Sequence, residues 1–349
     1  MSRDARLRLA MAGLHPDRAR ALVESFGSET AVLRAVERGR IEVSRRAAAA
    51  LSRPAAEIRE MLDGLGVRLL WRGGPGYPES LEGLPDAPDV LFMRGRLPEC
   101  PAVAVVGTRR CTAYGRAIAR AYGSAIAGAG WTTVSGLARG IDAEAHLGTL
   151  EGGGPGVAVL GSGSNVVYPS EHRGIHDGLI ASGGAVVTEY PPGTPPEPWR
   201  FPPRNRIIAG LSAAVVVVEA AVKGGALITA SAAADQGKVV LAVPGDVGRE
   251  VSEGCNLLIR DGAVPVLGPD DLVEALSLIV GPARPRSIVI GPADEADRTI
   301  LAALGPAGAP VEAVVAATGL PVAQVLSRLV RLETEGRIAR QGSRVVEIR

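Results

Sequence analysis

The feature that most constrains the fold of this chain is a repeated alternation of short aliphatic runs with helical segments between about residues 101 and 280. Continuous aliphatic runs of this kind are typical of a parallel sheet whose two faces are both covered by helices. Several of them end in Gly or Ser just before a helical segment, as the strand-to-helix turns of a doubly wound α/β sheet do. The predicted strands are Val103–Gly107, Thr132–Ser135, Val157–Gly161, Ala185–Glu189, Ala214–Glu219, Val239–Val243 and Val264–Leu267.

On both sides of the sheet region the apolar periodicity is helical. Residues 1–70 predict a small helical domain, with helices over Arg6–Gly13, Pro16–Phe26, Thr30–Arg38 and Ser44–Leu62. A Gly/Pro-rich connector over Gly73–Pro78 leads into a sheet domain spanning residues 71–280, and residues 281–291 are a linker. The tail predicts three helices, Asp294–Leu304, Val311–Thr318 and Pro321–Glu335, followed by a basic hairpin. That order predicts a winged helix over residues 292–349.

Composition limits the classes of function. The formal net charge is only +1, so any binding of anions must depend on local clusters of basic residues. Cys100, Cys111 and Cys255 show no CxxC spacing, which favours a reducing compartment and argues against a cysteine metal site. Because no signal peptide and no apolar run of about 18–20 residues is evident, we expect a cytoplasmic protein without membrane contact.

The strongest local signal is an acid-free segment between Glu99 and Asp142 that contains the five arginines Arg109, Arg110, Arg116, Arg120 and Arg139. It includes two predicted strand-to-helix turns, Gly107–Arg110 and Ser135–Gly140. Both turns should lie at the same edge of the sheet, where backbone N–H groups at helix N-termini and guanidinium groups suit phosphate. The first turn lacks GxGxxG, so it is not a dinucleotide-binding fingerprint.

A second basic segment follows the fourth predicted strand. Arg200 and Phe201 precede Pro202-Pro203-Arg204-Asn205-Arg206, which should open a helix. Aromatic rings interleaved with arginines suit unpaired bases and phosphates. The alternative is that these arginines brace the sheet against Glu189 or Glu219 and that Asn205 has a structural hydrogen-bonding role.

Further along, Lys223-Gly224-Gly225 offers a third turn that could bind an anion or could only cap a helix. Groups for catalysis are few: the sequence has no GxSxG, Walker A or HExxH motif, and its histidines lack a third metal ligand at a recognisable spacing. We therefore predict no catalytic residues, no metal and no cofactor. His146 is interpreted as a packing residue or a partner of Asp142, and Lys238 as a solvated charge.

Motifs in order along the chain resemble those of the DNA-processing protein A family (DprA, also called Smf). They are Val105–Arg110 with Tyr114-Gly115, Ser135–Asp142 with His146, Gly161–Gly163 followed by Tyr168-Pro169, Thr188–Gly193, Phe201–Arg206, Leu227–Ala230, Val243–Gly245 and Gly254–Ile259. The helical N-terminal region is similar to that family's sterile-alpha-motif or helix-hairpin-helix-like domain, and the tail is similar to its winged helix.

This resemblance implies an extended Rossmann-like domain that binds single-stranded DNA, forms a homodimer and loads the RecA recombinase in natural transformation or homologous recombination, without catalysis. The predicted DNA-binding residues are Gly107, Thr108, Arg109, Arg110, Ser135, Gly136, Arg139, Gly140, Arg173, Arg200, Phe201, Arg204, Asn205, Arg206 and Lys223. Two departures stand out. Gly224-Gly225-Ala226 replaces the family's usual Ser-Gly-Ser, and Ser170–Gly174 lacks the family's frequent lysine, for which Arg173 would substitute.

Two alternatives remain open from the sequence alone. The first is a nucleotide-processing hydrolase of the phosphoribohydrolase-like group, although the Pro-Gly-Gly-x-Gly-Thr turn of those enzymes is missing here. The second concerns the tail, which would either bind duplex DNA through Arg328, Arg331, Arg337, Arg340 and Arg344 or be a protein-docking module.

Overall fold

The structure is a computed structural model that describes residues 2–284, 295–305, 308–334, 337–341 and 344–347. The chain divides into two compact units, Met1–Pro285 and Arg286–Arg349. Most of the predicted linker, residues 285–291, lies outside the described residues. In the part of the chain that is described, no helix combines the length and the apolar character needed to span a membrane.

The first unit begins with five helices: α1 (Arg3–Met11), α2 (Pro16–Phe26), α3 (Glu29–Glu37), α4 (Arg45–Ser52) and α5 (Ala55–Gly64). The hydroxyls of Ser2, Ser28 and Ser44 each accept a backbone N–H and so cap α1, α3 and α4. The prediction of one helix over Ser44–Leu62 is wrong, because Pro54 cannot continue a helix and forces Arg53 into an extended conformation. Helices α1 and α5 pack on Phe92 of the large sheet.

The large sheet contains nine strands: β1 (Arg68–Trp71), β2 (Val90–Gly95), β3 (Ala102–Val106), β4 (Thr132–Ser135), β5 (Gly156–Val159), β6 (Ala185–Thr188), β7 (Ala214–Val217), β8 (Val239–Ala242) and β9 (Val264–Pro265). Their spatial order is β1-β2-β6-β5-β4-β3-β7-β8-β9. Strands β3 to β9 run parallel, as predicted, whereas β1 and β2 extend the β6 edge antiparallel. The boundary predicted between residues 70 and 71 falls inside β1.

Helices cover both faces of this sheet, and the α/β Rossmann-like fold predicted from the sequence is confirmed. The helices of the sheet region are α6 (Glu79–Glu82), α7 (Ala113–Gly128), α8 (Ile141–Glu151), α9 (Arg173–Ala181), α10 (Phe201–Leu211), α11 (Gly225–Asp235), α12 (Glu250–Arg260) and α13 (Pro269–Val280). Alternate residues of β3 point to opposite faces. Val103 and Val105 pack with α7, α8 and α13, whereas Ala104 and Val106 pack with α10, α11 and α12.

The direction of winding reverses between β3 and β7. The chain runs outward from β3 through β4 and β5 to β6, and then returns to place β7 on the other side of β3. The turn after β3 leads to α7 on one face, and the turn after β7 leads to α11 on the other. Ligands of doubly wound sheets bind in the crevice that such a reversal opens at the carboxyl ends of the strands.

The second unit contains α14 (Glu295–Leu304), β10 (Ala309–Pro310), α15 (Val311–Thr318), α16 (Val322–Thr334), β11 (Ile338–Gln341) and β12 (Arg344–Glu347). Its sheet order is β10-β12-β11, and its core includes Ile300, Val314, Leu329 and Val345. Three helices followed by a hairpin confirm the predicted winged helix. Arg328 pairs with the buried carboxylate of Asp297 at 2.7 Å, so it has a structural partner. The side chains of Arg331 and Arg340 lie outside the described residues.

Candidate nucleic-acid interface

A cleft of about 580 Å³ lies at the point where the winding of the sheet reverses. Its walls come from the turn after β3, the turn after β7, the start of α10 and the first turn of α11. It contains seven of the predicted site residues, Gly107, Thr108, Arg109, Arg110, Phe201, Arg204 and Asn205. The structure therefore brings together two segments that are about a hundred residues apart in the chain.

The turn after β3 is held by Glu219, the second residue after β7. The Thr108 amide donates to the Glu219 carbonyl at 2.7 Å. The Thr112 amide and hydroxyl donate to the Glu219 carboxylate at 2.8 and 2.6 Å. Glu219 is buried, and its negative charge lies at the N-terminus of α7, where a helix favours an anion. This carboxylate organises the turn and is already occupied.

The same turn permits no larger residue at Gly107. A side-chain carbon there would overlap the side chain of Ile141 at the start of α8. The close approach of the turn to α8 places the next residues, Arg109 and Arg110, at the rim of the cleft.

Both of these rim arginines are exposed, and within the described residues neither forms an ion pair. The Arg109 guanidinium lies over the ring of Phe201, 5.0 Å from its centroid. Phe201 in turn lies 5.7 Å from the ring of Tyr168, at an interplanar angle of 34°. Tyr168 is 41% exposed and also lines the cleft. The rim thus presents two aromatic faces beside two unpaired cations.

The turn after β4 lies beneath this rim and is fixed by polar contacts. The Gly136 amide donates to the Asp142 carboxylate at 3.1 Å. Leu137 adopts a left-handed conformation at φ 55°, and its carbonyl accepts from His172 Nδ1 at 2.9 Å. The Gly136 carbonyl accepts from Arg204 at 2.6 Å. These contacts leave the turn little freedom to move.

Arg204 is a buried strut rather than a free cation, since it is only 5% exposed. Its guanidinium donates to the carbonyls of Gly136 and Val159 and to the Asn205 side chain, and it lies 3.9 Å from Asp142. Burial, with the nearby positive charge of Arg109, lowers the pKa of Arg204 to about 10, so it stays protonated at neutral pH. Burial also raises the pKa of Asp142, against the opposing effect of Arg204. Arg204 lines the cleft and positions the turn after β4.

The opposite wall is the N-terminus of α11. No side chain caps this end of the helix, and the first turn carries no acidic residue. Gly224, Gly225 and Ala226 line the cleft, and the buried Thr229 lies one turn further along. Uncapped amides at a helix N-terminus favour an anion. Asn205 fixes this end, because its amide donates to the Gly225 carbonyl at 3.1 Å, which matches the structural alternative considered for it.

Three predicted contacts point elsewhere in the structure. The Ser135 hydroxyl is buried and donates to the Val105 carbonyl at 2.7 Å. Arg200 is buried against Tyr190 and Trp199 and donates to the Pro195 carbonyl. Arg206 contacts both carboxylate oxygens of Glu189 at 2.6 and 2.7 Å, and Asp86 at 2.9 Å. These contacts engage the three side chains inside the protein, as the bracing alternative expected for Arg206 with Glu189, and their contact with DNA stays a prediction.

The remaining predicted residues lie beside the cleft or on the surface. Arg139 and Gly140 line a neighbouring groove, and Gly136 contributes through the backbone contacts described above. Lys223 is exposed next to Gly224 at the mouth. Arg173 lies at the start of α9 and does not line this cleft or the neighbouring groove.

Some lining residues were missed by the sequence reasoning. Tyr168 and Ile228 are exposed apolar side chains on the rim, and Pro196, Pro198 and Pro202 form one edge. The Tyr168-Pro169 motif was a signal for the first of them. The Leu227–Ala230 motif contains Ile228, but only the structure shows that this side chain points outward from α11.

Of two buried polar groups, His146 matches one of its two expected roles and Lys238 does not match its expected role. Both ring nitrogens of His146 are buried without a hydrogen-bond partner, so it packs and does not bond to Asp142. Burial lowers the pKa of His146 to about 3. Lys238 donates to the carbonyls of Ala209 and Gly210 at the end of α10, both at 2.7 Å, and so the prediction of a solvated charge is wrong. Across the described residues, no group of three or more metal-ligating side chains is found.

Comparison with known proteins identifies related chains. The family model for DNA recombination-mediator protein A matches residues 68–277, and the model for the DprA winged helix domain matches residues 282–343. Protein Smf of Escherichia coli K12 is 40% identical over 272 residues, which cover 75% of this chain and 72% of the relative. DNA processing protein DprA of Streptococcus pneumoniae R6 is 41% identical over 200 residues, covering 56% of this chain and 70% of the relative.

Two solved structures are similar over most of their length. The X-ray structure of DNA processing protein A from Streptococcus pneumoniae aligns with a TM-score of 0.60 at 32% identity, covering 76% of this chain and 95% of that one. DNA processing protein A from Helicobacter pylori, whose structure was described for its single-stranded DNA binding mode, aligns with a TM-score of 0.53 at 26% identity. That alignment covers 60% of this chain and 95% of the Helicobacter chain.

Proposed function

The chain belongs to the DNA recombination-mediator protein A family, and we propose that it binds single-stranded DNA in the cleft where the winding of the sheet reverses. The observation that carries this proposal is that Arg109 and Arg110 line the same cleft as the rings of Phe201 and Tyr168. Both arginines are exposed and have no ion pair among the described residues. Guanidinium forks bind phosphate oxygens in a bidentate manner. Aromatic faces stack unpaired bases.

The charges of the cleft support a polyanion as its ligand. Among the described residues that line the cleft, the one carboxylate is Asp142, and it is occupied by the Gly136 amide and Arg204. The Glu219 carboxylate behind the turn after β3 is occupied by Thr112. The uncapped N-terminus of α11 adds partial positive charge from the opposite wall. A phosphate chain entering the cleft would therefore meet positive groups on both sides.

The aromatic platform favours single strands over duplex. In a duplex the base faces are stacked on one another and are unavailable to a protein ring, whereas an unpaired base can stack on Phe201 or Tyr168. DNA processing protein A from Helicobacter pylori has a single-stranded DNA binding mode, which supports the same ligand for this chain.

On this basis the protein acts in the cytoplasm as a mediator that delivers single strands to the RecA recombinase, as a homodimer and without catalysing a reaction. The winged helix adds a second contact, to duplex DNA or to a protein. For the phosphoribohydrolase alternative, no described residue provides a free carboxylate in the cleft, because Asp142 lies beneath Arg204. Nothing observed favours that alternative.

A RecA-loading assay tests the proposed function. Single-stranded DNA coated with single-strand-binding protein would be incubated with RecA, with and without this chain, and RecA assembly would be followed by ATP hydrolysis. We expect the chain to accelerate assembly and the Arg109→Ala variant to be impaired. The matched control is Arg96→Ala, since Arg96 follows β2 away from the cleft and is also exposed. No acceleration by the wild-type chain would contradict the mediator role.

The role of the winged helix needs a separate measurement. A chain ending at residue 284 would be compared with the full chain for binding to single-stranded and to duplex DNA, because residues up to 284 fall within the first compact unit. Loss of duplex binding alone would assign the winged helix to duplex DNA. Unchanged binding to both would assign it to a protein partner.

A further inference from the structure

A second depression, which we call the basic groove, lies next to the cleft. It has a volume of about 580 Å³, and its charged and histidine lining residues are Arg109, Arg110, Arg116, Arg139, Glu144, Glu171 and His172. Arg109 and Arg110 line both depressions, so they form a shared ridge. A flexible chain that leaves the cleft over this ridge enters the basic groove directly.

The basic side chains of the groove are held in different ways. Arg116 donates to the Cys111 carbonyl at 3.2 Å and stays exposed. His172 uses Nδ1 to donate to the Leu137 carbonyl, which leaves Nε2 available. Arg139 forms an ion pair, since Glu171 Oε1 lies 2.7 Å from its Nε and 2.6 Å from its Nη2.

The ion pair between Arg139 and Glu171 lies at the surface, so Arg139 can readily exchange Glu171 for another anion. The two side chains are 57% and 52% exposed, and exposed ion pairs of this kind contribute little to stability. Glu171 stays ionised at neutral pH, because its own backbone N–H and Arg139 hold its pKa below the usual range. Glu171, foremost, and then Tyr168 raise the pKa of Arg139.

We propose that the Glu171 carboxylate occupies the phosphate position on Arg139, and that only a strand long enough to reach from the cleft across the ridge into the basic groove displaces it. The proposal rests on the proposed function and deepens it. A carboxylate and a phosphate offer a guanidinium similar oxygen acceptors, so one replaces the other without leaving the cation unpaired. The cleft alone binds short strands, and the basic groove adds affinity only for longer ones.

This arrangement makes Glu171 a residue that determines how strongly the protein prefers long DNA strands to short ones. In the free protein Arg139 is satisfied and does not attract isolated phosphate or short oligonucleotides. A longer strand already bound in the cleft presents its next phosphates to Arg139 at high local concentration, which offsets the loss of the contact with Glu171.

The test is Glu171→Gln, which removes the charge and keeps the size of the side chain. Fluorescence anisotropy would measure its affinity for oligothymidylates of about 4 and about 16 nucleotides, the ends of the range of known single-strand sites. Since exposed ion pairs are weak, we expect about twofold to fivefold tighter binding of the long oligonucleotide. Binding of the short one should be unchanged.

Two controls isolate the effect. Glu99→Gln removes an exposed carboxylate that pairs with Arg96, and since neither residue lines the cleft or the basic groove, it should alter neither affinity. In an Arg139→Gln background, Glu171→Gln should lose its effect, as a double-mutant cycle requires of a local interaction.

Several outcomes would overturn the proposal: no change with Glu171→Gln, equal tightening at both lengths, equal tightening with Glu99→Gln, or a gain that persists without Arg139. Wild-type protein that binds neither oligonucleotide would refute the proposed function and this proposal with it. Wild-type binding with no effect of Glu171→Gln would refute the proposal alone.

Discussion

Replacing Arg109 with alanine is the sharpest perturbation of the cleft. Arg109 is exposed and has no ion pair in the described structure, so its removal breaks no internal contact with a carboxylate. A hydrogen bond to a charged group contributes about 1.5–3 kcal/mol. At about 1.4 kcal/mol for each factor of ten, the variant should bind single-stranded DNA about tenfold to a hundredfold more weakly.

The dependence on salt separates a phosphate contact from other causes. Each phosphate neutralised on a single strand contributes about 0.7 to the slope of log K against log salt concentration. Arg109→Ala should therefore flatten that slope by about 0.7, whereas Arg109→Lys should keep the slope and lose part of the affinity, because lysine lacks the bidentate fork.

Fluorescence anisotropy titrations over a series of salt concentrations would measure both quantities, and thermal unfolding would check the fold. The melting temperature should stay close to that of the wild type, since no described internal ion pair is lost. Arg96→Ala, away from the cleft, controls for the change of net charge. An unchanged affinity and slope for Arg109→Ala, or an equal loss for Arg96→Ala, would refute the assignment of the cleft.

Three further predictions concern the rim, the brace and the core. Phe201→Ala should weaken single-strand binding by about 1–3 kcal/mol, which is the contribution of one stacked base. The same titrations measure this, and an affinity equal to that of the wild type would exclude stacking on this ring. Glu189→Gln should lower the free energy of unfolding by about 3 kcal/mol, because Arg206 keeps only Asp86 as a charged partner. Urea unfolding measures this loss. An unchanged DNA affinity of the folded variant would confirm that the pair of Arg206 and Glu189 is structural. His146 has a pKa of about 3 in the fold against an ordinary value of 6.5, so its contribution is complete above pH 6.5 and is lost as pH falls toward 3. The wild type should therefore lose about 2 kcal/mol between about pH 7 and about pH 5 that His146→Leu does not lose, measured by urea unfolding at both values, and equal losses would contradict this account.

Much of the fold could be predicted because buried parallel strands are easily recognised in a sequence. The strands around Val105, Val134 and Val216 are continuous aliphatic runs, and each was predicted to within about two residues of its observed end. Strands β1 and β2 were missed for a physical reason. Arg68–Trp71 is short, it is flanked by a Gly/Pro-rich segment, and its pairing with Val90–Gly95 is a tertiary choice that no local pattern shows.

The turns of the candidate site could be located from sequence, but the roles of its arginines could not. Arg109, Arg204 and Arg206 all lie beside glycine or proline turns, and nothing local distinguishes them. In the structure one is exposed, one is a buried strut beneath the Gly136 turn, and one braces Glu189. The difference lies in the partners, and Gly136 and Glu189 are 68 and 17 residues away from the arginines they contact.

The different roles of these charged residues explain how a nearly neutral chain can present a cationic cleft. Charges buried beside the cleft are matched: Arg204 faces Asp142, Arg206 faces Glu189, and Glu219 caps the turn that carries Arg109. Because Glu219 holds the turn after β3, and Arg204 and Asp142 hold the turn after β4, the guanidinium groups of Arg109 and Arg110 need no ion pair of their own. Their charge remains available to a ligand, and the cost of ordering the turns is met during folding rather than on binding. A rigid cationic rim of this kind grips a flexible polyanion most effectively when the strand supplies the conformational adjustment.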